Sequence, residues 1–191
     1  MPFSAKEAIK RWEQRTQLAP GDVTELNLVC QLPNPIDRLD DSINQFENIT
    51  KLSLSTNAID KMIALPRLKN LKILSLGRNQ IRRFQGLEDI GQTLEELWIS
   101  YNNIEKLDLQ PCVALHTLLM SNNKIKFWDE LAKLQGLQNI KTVLFIGNPI
   151  YNDFATREEA IPKVVKKIPQ IETVDAKLIT AAIRSKAEEL D

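Results

Sequence analysis

Cysteine is scarce in this chain, and the two present, Cys30 and Cys112, lie in separate stretches where no disulfide framework is plausible. Both are expected to be free thiols, buried or half-buried, in a reducing compartment such as the cytoplasm. Six glycines are scattered, and none falls in GxxxxGK[ST] or GxGxxG, so no phosphate cradle is written here. The single histidine, His116, has no neighbouring serine or cysteine nucleophile, and no HxxxH or CxxC spacing offers metal ligands. Acidic neighbours such as Glu95 with Glu96 diverge in regular structure and read as solvated surface. No apolar run approaches the roughly 18 residues that a membrane span needs. The opening MPFSAKEAIKRWEQR turns at once to amphipathic charge where a secretory leader would be apolar. Twenty-five basic residues balance twenty-five acidic ones, which argues against general affinity for nucleic acid. The chain therefore reads as a non-enzyme without cofactor, metal, nucleic acid or membrane.

What is abundant is one phrase. LSLSTNAI, LSLGRNQI, LWISYNNI, LLMSNNKI and VLFIGNPI place asparagines at 57, 79, 102, 123 and 148, with steps of 22, 23, 21 and 25. A period in the low twenties with LxxLxLxxNxL spelling marks leucine-rich repeats, one short strand and one return segment per unit. Side chains alternate faces along a strand, so residues two apart share a side. The pairs Leu52 with Leu54, Leu74 with Leu76, Leu97 with Ile99, Leu118 with Met120 and Val143 with Phe145 point inward. A degenerate earlier copy begins at Val23, with Leu26 and Leu28 inward and Ile36, Leu39, Ile43 and Phe46 in its return half. Each asparagine carries a donor and an acceptor with which to satisfy turn groups that no ladder reaches. Spacings of about three in the returns (Met62, Leu65, Leu68; Phe84, Leu87, Ile90) predict tight, 3₁₀-like turns.

A solenoid exposes apolar ends, so its terminal units must differ from the middle ones. Ser4 and Glu7 form a capping box for a first helix, with Ile9 and Trp12 on one face. Towards the other end Ile161, Val164, Val165 and Ile168 lie at helical spacing. Pro169 ends that helix, Ile171 and Val174 supply a last edge segment, and Lys177 to Leu190 is expected to be a second amphipathic helix with Leu178, Ala182, Ile183 and Ala187 on its stripe. The architecture expected is a right-handed α/β solenoid of about six repeats: a helical cap over 1–20, the array over 21–150, and a C-terminal cap with a terminal helix over 151–191.

The open sheet face carries the functional signal. The residue between each inward pair runs Asn27, Ser53, Ser75, Trp98, Leu119, Leu144. The residue two earlier runs Glu25, Lys51, Ile73, Glu96, Thr117, Thr142. Exposed sheet faces are normally polar, so Trp98, Leu119 and Leu144 on successive strands break the pattern over roughly 10 Å. Tyr101 and Ile146 can widen the patch, and Ile73 and Glu96 border it. Apolar patches rimmed by charge anchor protein interfaces, with Trp and Tyr favoured as hot spots. The alternative is that a terminal helix folds back over these residues and makes them core. Basic residues near the end, among them Lys177, Arg184 and Lys186, could meet an acidic partner surface.

LxxLxLxxNxIxxI resembles the SDS22-like class of leucine-rich repeats, and IPQIETVD looks like the motif that closes such arrays, with Ala176 where glycine is common. More specific is LKILSLGRNQIRRFQGLEDIGQTLEELWISYNNIEKL (71–107), with LLMSNNKIKFWDEL and IGNPIYNDF after it. This block closely resembles the leucine-rich-repeat light chain of axonemal outer-arm dynein. The resemblance implies a non-catalytic motor subunit, monomeric when isolated, on the microtubule-binding stalk region of a gamma-type dynein heavy chain. Tubulin is a further implied contact. The implied location is the outer arm of a ciliary or flagellar axoneme, with a cytoplasmic pool before assembly. By register the family's apolar patch falls on Trp98, Leu119 and Leu144, and its C-terminal helix loosely on the segment around Leu178 to Lys186. The alternative from the broader class is an SDS22-like regulatory subunit of a protein phosphatase.

Overall fold

Each repeat contributes a strand of only three residues, because the chain must turn as soon as its second inward side chain is buried. In the computed structural model, which describes residues 3–190, these strands are β1 (Glu25–Asn27), β2 (Lys51–Ser53), β3 (Ile73–Ser75), β4 (Glu96–Trp98), β5 (Thr117–Leu119) and β6 (Thr142–Leu144). They pair in chain order, all parallel, and β7 (Thr173–Val174) joins β6 in the same sense. The register aligns Leu26, Leu52, Leu74, Leu97, Leu118, Val143 and Val174 in one inward row. That row is essentially inaccessible, as is the next one from Leu28 to Phe145. Burial of each such side chain stabilises by about 1.5–3 kcal/mol.

The asparagines knit neighbouring repeats. Asn102 Nδ2 donates to the carbonyls of Leu76 (2.9 Å) and Ile99 (3.1 Å), and its Oδ1 accepts from the Ile81 N–H (2.9 Å). Asn57, Asn79, Asn123 and Asn148 repeat the pattern one unit away each time. Every one of these groups would otherwise be a polar atom stranded beside the core.

Several expectations need correction, but not the tight turns of the returns, which are present as single i→i−3 turns in the second and third. Longer helical returns form at Asp41–Gln45 and where α2 (Asp129–Ala132) runs into the 3₁₀ turn Lys133–Gly136. (The other α-helices among the described residues are α1, Ala5–Thr16, α3, Arg157–Lys167, and α4, Ala181–Glu188; two further 3₁₀ turns lie at Pro20–Asp22 and Pro149–Tyr151.) The second and third returns run irregularly, closed by single turns such as Leu68 N–H to Leu65 C=O (3.2 Å). Pro66 lacks a donor there, and Gly86 sits at φ +71 against the Ile63 carbonyl, where a Cβ would collide. Cys30 is exposed; only Cys112 is buried.

At the N-terminal end Glu7 and Ser4 form the expected reciprocal box, and α1 buries Ile9 and Trp12, the latter edge-on to Phe46. At the other end α3 buries Ile161, Val164 and Val165. The segment from Lys177 is not one helix. Asp175 (φ 49) and Ala176 (φ 63) are both left-handed, so the chain reverses in a two-residue hairpin and β8 (Lys177–Leu178) pairs antiparallel with β7. Leu178 is therefore 70% exposed rather than on a helical stripe. The last helix, α4, begins only after the Thr180 cap and buries Ala187.

Asp175 closes the array. Along the sheet, Leu54 N–H donates to Ser75 C=O, Leu76 to Trp98, Ile99 to Leu119 and Met120 to Leu144. The next donor, Phe145 N–H, has no strand carbonyl and donates to Asp175 Oδ1 (2.6 Å), as does Ile146 N–H (3.1 Å); the Tyr151 hydroxyl donates to Oδ2.

Candidate protein-binding face

The strand register sets Trp98 opposite Leu119 and Leu119 opposite Leu144, one row deep on the open face. All three are half-exposed while the residues between rows are buried. The preceding row aligns Lys51, Ile73, Glu96, Thr117 and Thr142. Tyr101 owes its position to backbone geometry. Thr56, Arg78, Tyr101 and Asn122, each just ahead of a repeat asparagine, are all held at positive φ, from 54 to 58. Tyr101 is 49% exposed, and Ile146, beyond Leu144, is 38% exposed.

Charge fixes the aromatic side of the face. Trp98 Nε1 donates to Glu96 Oε2 at 2.8 Å, which orients the indole, and the Lys51 ammonium lies 5.9 Å from its ring centroid. Lys51 also reaches Glu25 at 3.8 Å. The Arg78 guanidinium lies 4.8 Å from the Tyr101 ring. Glu95, adjacent to Glu96, turns elsewhere: Lys72 pairs with it at 2.9 Å and holds its carboxyl below the ordinary range, and His116, just ahead of β5, stands 3.8 Å away. The face thus grades from cation-flanked aromatics at β4 to aliphatics at β6. Spacing in the sequence places Lys51 on this face without its contact to Trp98, and it misses Arg78, although Arg78 precedes Asn79 as Tyr101 precedes Asn102.

No helix among the described residues covers this row. Helix α4 packs against α3, and Arg184 donates to the carbonyls of Pro169 and Ile171 at 2.7 Å each. Arg184 is thus engaged as a brace for the last helix. Lys177 lies in β8 and Lys186 in the last turn of α4, both exposed, so the three basic residues do not join the apolar row in one cluster. Leu178, across from Thr173, adds an exposed aliphatic at the far edge of the sheet.

A rat protein named dynein axonemal light chain 1 is 44% identical over 185 residues, spanning 96% of this chain and 95% of the relative. The chain belongs to the dynein axonemal light chain 1 family. The human relative shows the same 44% over the same share, and that of Chlamydomonas reinhardtii 39% over 187 residues, covering 95% of this chain and 93% of its own. No protein-family model matches the chain. Two solved leucine-rich-repeat structures share the fold alone. An internalin C2 of Listeria monocytogenes gives a TM-score of 0.56 at 22% identity, over 82% of this chain and 68% of that one. The Drosophila melanogaster SNF/U2A' complex gives 0.52 at 22%, over 86% and 79%. In this member of the light chain 1 family, the apolar row lies on a side of the solenoid that no other described segment covers.

Proposed function

We propose that the chain is a non-catalytic light chain of axonemal outer-arm dynein. In this reading it binds the microtubule-binding stalk region of a gamma-type heavy chain and tunes the grip of that stalk on its track. The observation that carries the reading is the uncovered row Trp98–Leu119–Leu144, bordered by Tyr101, Ile73, Glu96 and Ile146, in a chain of this family. A stable interface takes roughly 800 Å² per partner. The row alone is too small for that, so the partner also covers Tyr101, Ile146 and the Lys51–Glu96 rim. The aromatic end supplies the anchor and the rim sets orientation. The chain performs no chemistry in this role; it acts by occupying the stalk and adding its own surface, tubulin included, to the motor's contact with the microtubule. The location that follows is the axoneme, after a cytoplasmic pool.

Co-sedimentation tests it. A gamma-type stalk fragment, with and without the chain, is titrated with microtubules. A change in the apparent Kd that disappears with Trp98→Ala/Leu119→Ala is the expected result. An unchanged Kd at saturating light chain overturns the proposed tuning.

A further inference from the structure

On the return side of the fifth repeat, away from the strand row, α3 and Trp128, the residue that caps α2, border a groove of about 410 Å³. Trp128 and Phe154 line it, 5.8 Å apart in an edge-to-face pair, and Leu190 contributes to its wall. Phe127, next to Trp128 in the chain, is 70% exposed. Three lysines on one side of α3, Lys163, Lys166 and Lys167, also line the groove. The Lys163 ammonium stands 4.8 Å from the Trp128 ring centroid and 5.9 Å from that of Phe154. No carboxylate pairs with Lys163 among the described residues.

Two carboxylates lie close by among the described residues, and one of them, Glu159, lines the groove itself. Asp129 pairs with Lys167 at 2.8 Å, and Glu159 Oε2 accepts from the Ala155 N–H at 3.2 Å. Lys166 donates to the Leu190 carbonyl. The groove presents an aromatic lining under Lys163 and Lys166; among the described residues, three ammonium groups stand against the two carboxylates of Asp129 and Glu159, so its rim stays net positive. Lysines in the last turn of a helix complement its dipole, which accounts for Lys166 and Lys167. It does not account for Lys163, one turn earlier and held over two rings.

We propose that this groove docks a short acidic segment of a partner protein, one apolar side chain of the segment seated against Trp128 and Phe154 and its flanking carboxylates on Lys163 and Lys166. A volume of this size takes one or two side chains, and an ammonium already stacked on an aromatic lining is preorganised to receive an anion. The groove shares no residue with the sheet face, so the chain can hold both partners at once.

The test uses the full chain and three fluorescein-labelled peptides: EEELFEEE, its neutral counterpart QQQLFQQQ, and EEEGGEEE, which lacks the apolar pair. EEELFEEE is expected to bind with the lowest Kd, to weaken as salt is raised, and to lose about tenfold in Lys163→Gln/Lys166→Gln. Neither lysine is buried, so the variant keeps its fold, as its amide spectrum will show. The Trp128 indole N–H, buried and without an acceptor, should move in the nitrogen–proton spectrum while that of Trp98 stays in place. Equal binding of the neutral peptide, an unchanged Kd in the variant, movement of Trp98 instead, or no binding of EEELFEEE overturns the proposal.

Discussion

Replacing Asp175 by alanine should unfasten the C-terminal end of the solenoid. The side chain is 1% exposed, and its two oxygens accept from Phe145 N–H, Ile146 N–H and the Tyr151 hydroxyl. Tyr151 is itself buried, and burial together with the Asp175 charge pushes its hydroxyl pKa well above the usual range, so the phenol stays a donor. Alanine orphans three donors at once. At about 1–3 kcal/mol for each buried unsatisfied group, the loss is about 3–9 kcal/mol, against a total stability of roughly 5–15 kcal/mol for a domain. Asparagine retains one acceptor oxygen for the two amides and, on its other side, meets a hydroxyl that can turn to accept, so Asp175→Asn should lose only about 1–2 kcal/mol. Urea unfolding followed by circular dichroism gives both values. Hydrogen exchange adds a spatial check: in a repeat array destabilised at one end, β6 should lose protection before β2. A loss under about 1 kcal/mol for Asp175→Ala, or equal losses for the two variants, would refute the capping argument.

Other predictions concern the same end of the chain and the thiols. Ala176 occupies a left-handed position (φ 63) that disfavours any side chain, so Ala176→Gly should raise stability by about 0.5–1 kcal/mol, the relief of left-handed strain exceeding the entropy that glycine adds to the unfolded chain. A lower thermal midpoint would contradict it. For the cysteines, burial foremost, with the Glu88 charge adding to it, pushes the Cys112 thiol up to about 12. A thiol with a raised pKa is protonated, and so unreactive, throughout the neutral and mildly alkaline range. At pH 8 a disulfide reagent should therefore label Cys30, which is exposed, and spare Cys112 until the chain is unfolded; rapid modification of both in the folded chain would contradict this.

Most of the architecture was legible because a solenoid repeats its instructions. The inward rows and the sheet-face order Asn27, Ser53, Ser75, Trp98, Leu119, Leu144 follow from alternation alone, and the observed register reproduces them residue for residue. The failures lie where a single local interaction outweighs the period. A helical stripe from Leu178 onward fits the spacing, but two consecutive left-handed residues and the Thr180 cap divert the chain into a hairpin first. Return segments with spacing near three, by contrast, do close in single i→i−3 turns, as at Leu65–Leu68 and Leu87–Ile90. Within the face, Lys51 beside Trp98 and Arg78 beside Tyr101 come from neighbouring units and depend on side-chain reach, which spacing within one repeat does not encode.

The central claim is that the Trp98 face binds the dynein stalk, and calorimetric titration of a gamma-type stalk fragment with the chain tests it most directly. Trp98 is half-exposed and its neighbours are anchored without it, so Trp98→Ala should leave the thermal midpoint nearly unchanged while weakening binding by at least about 2 kcal/mol, or about thirtyfold in Kd. Wild-type binding retained by the variant, or no binding by the wild type, would contradict the account.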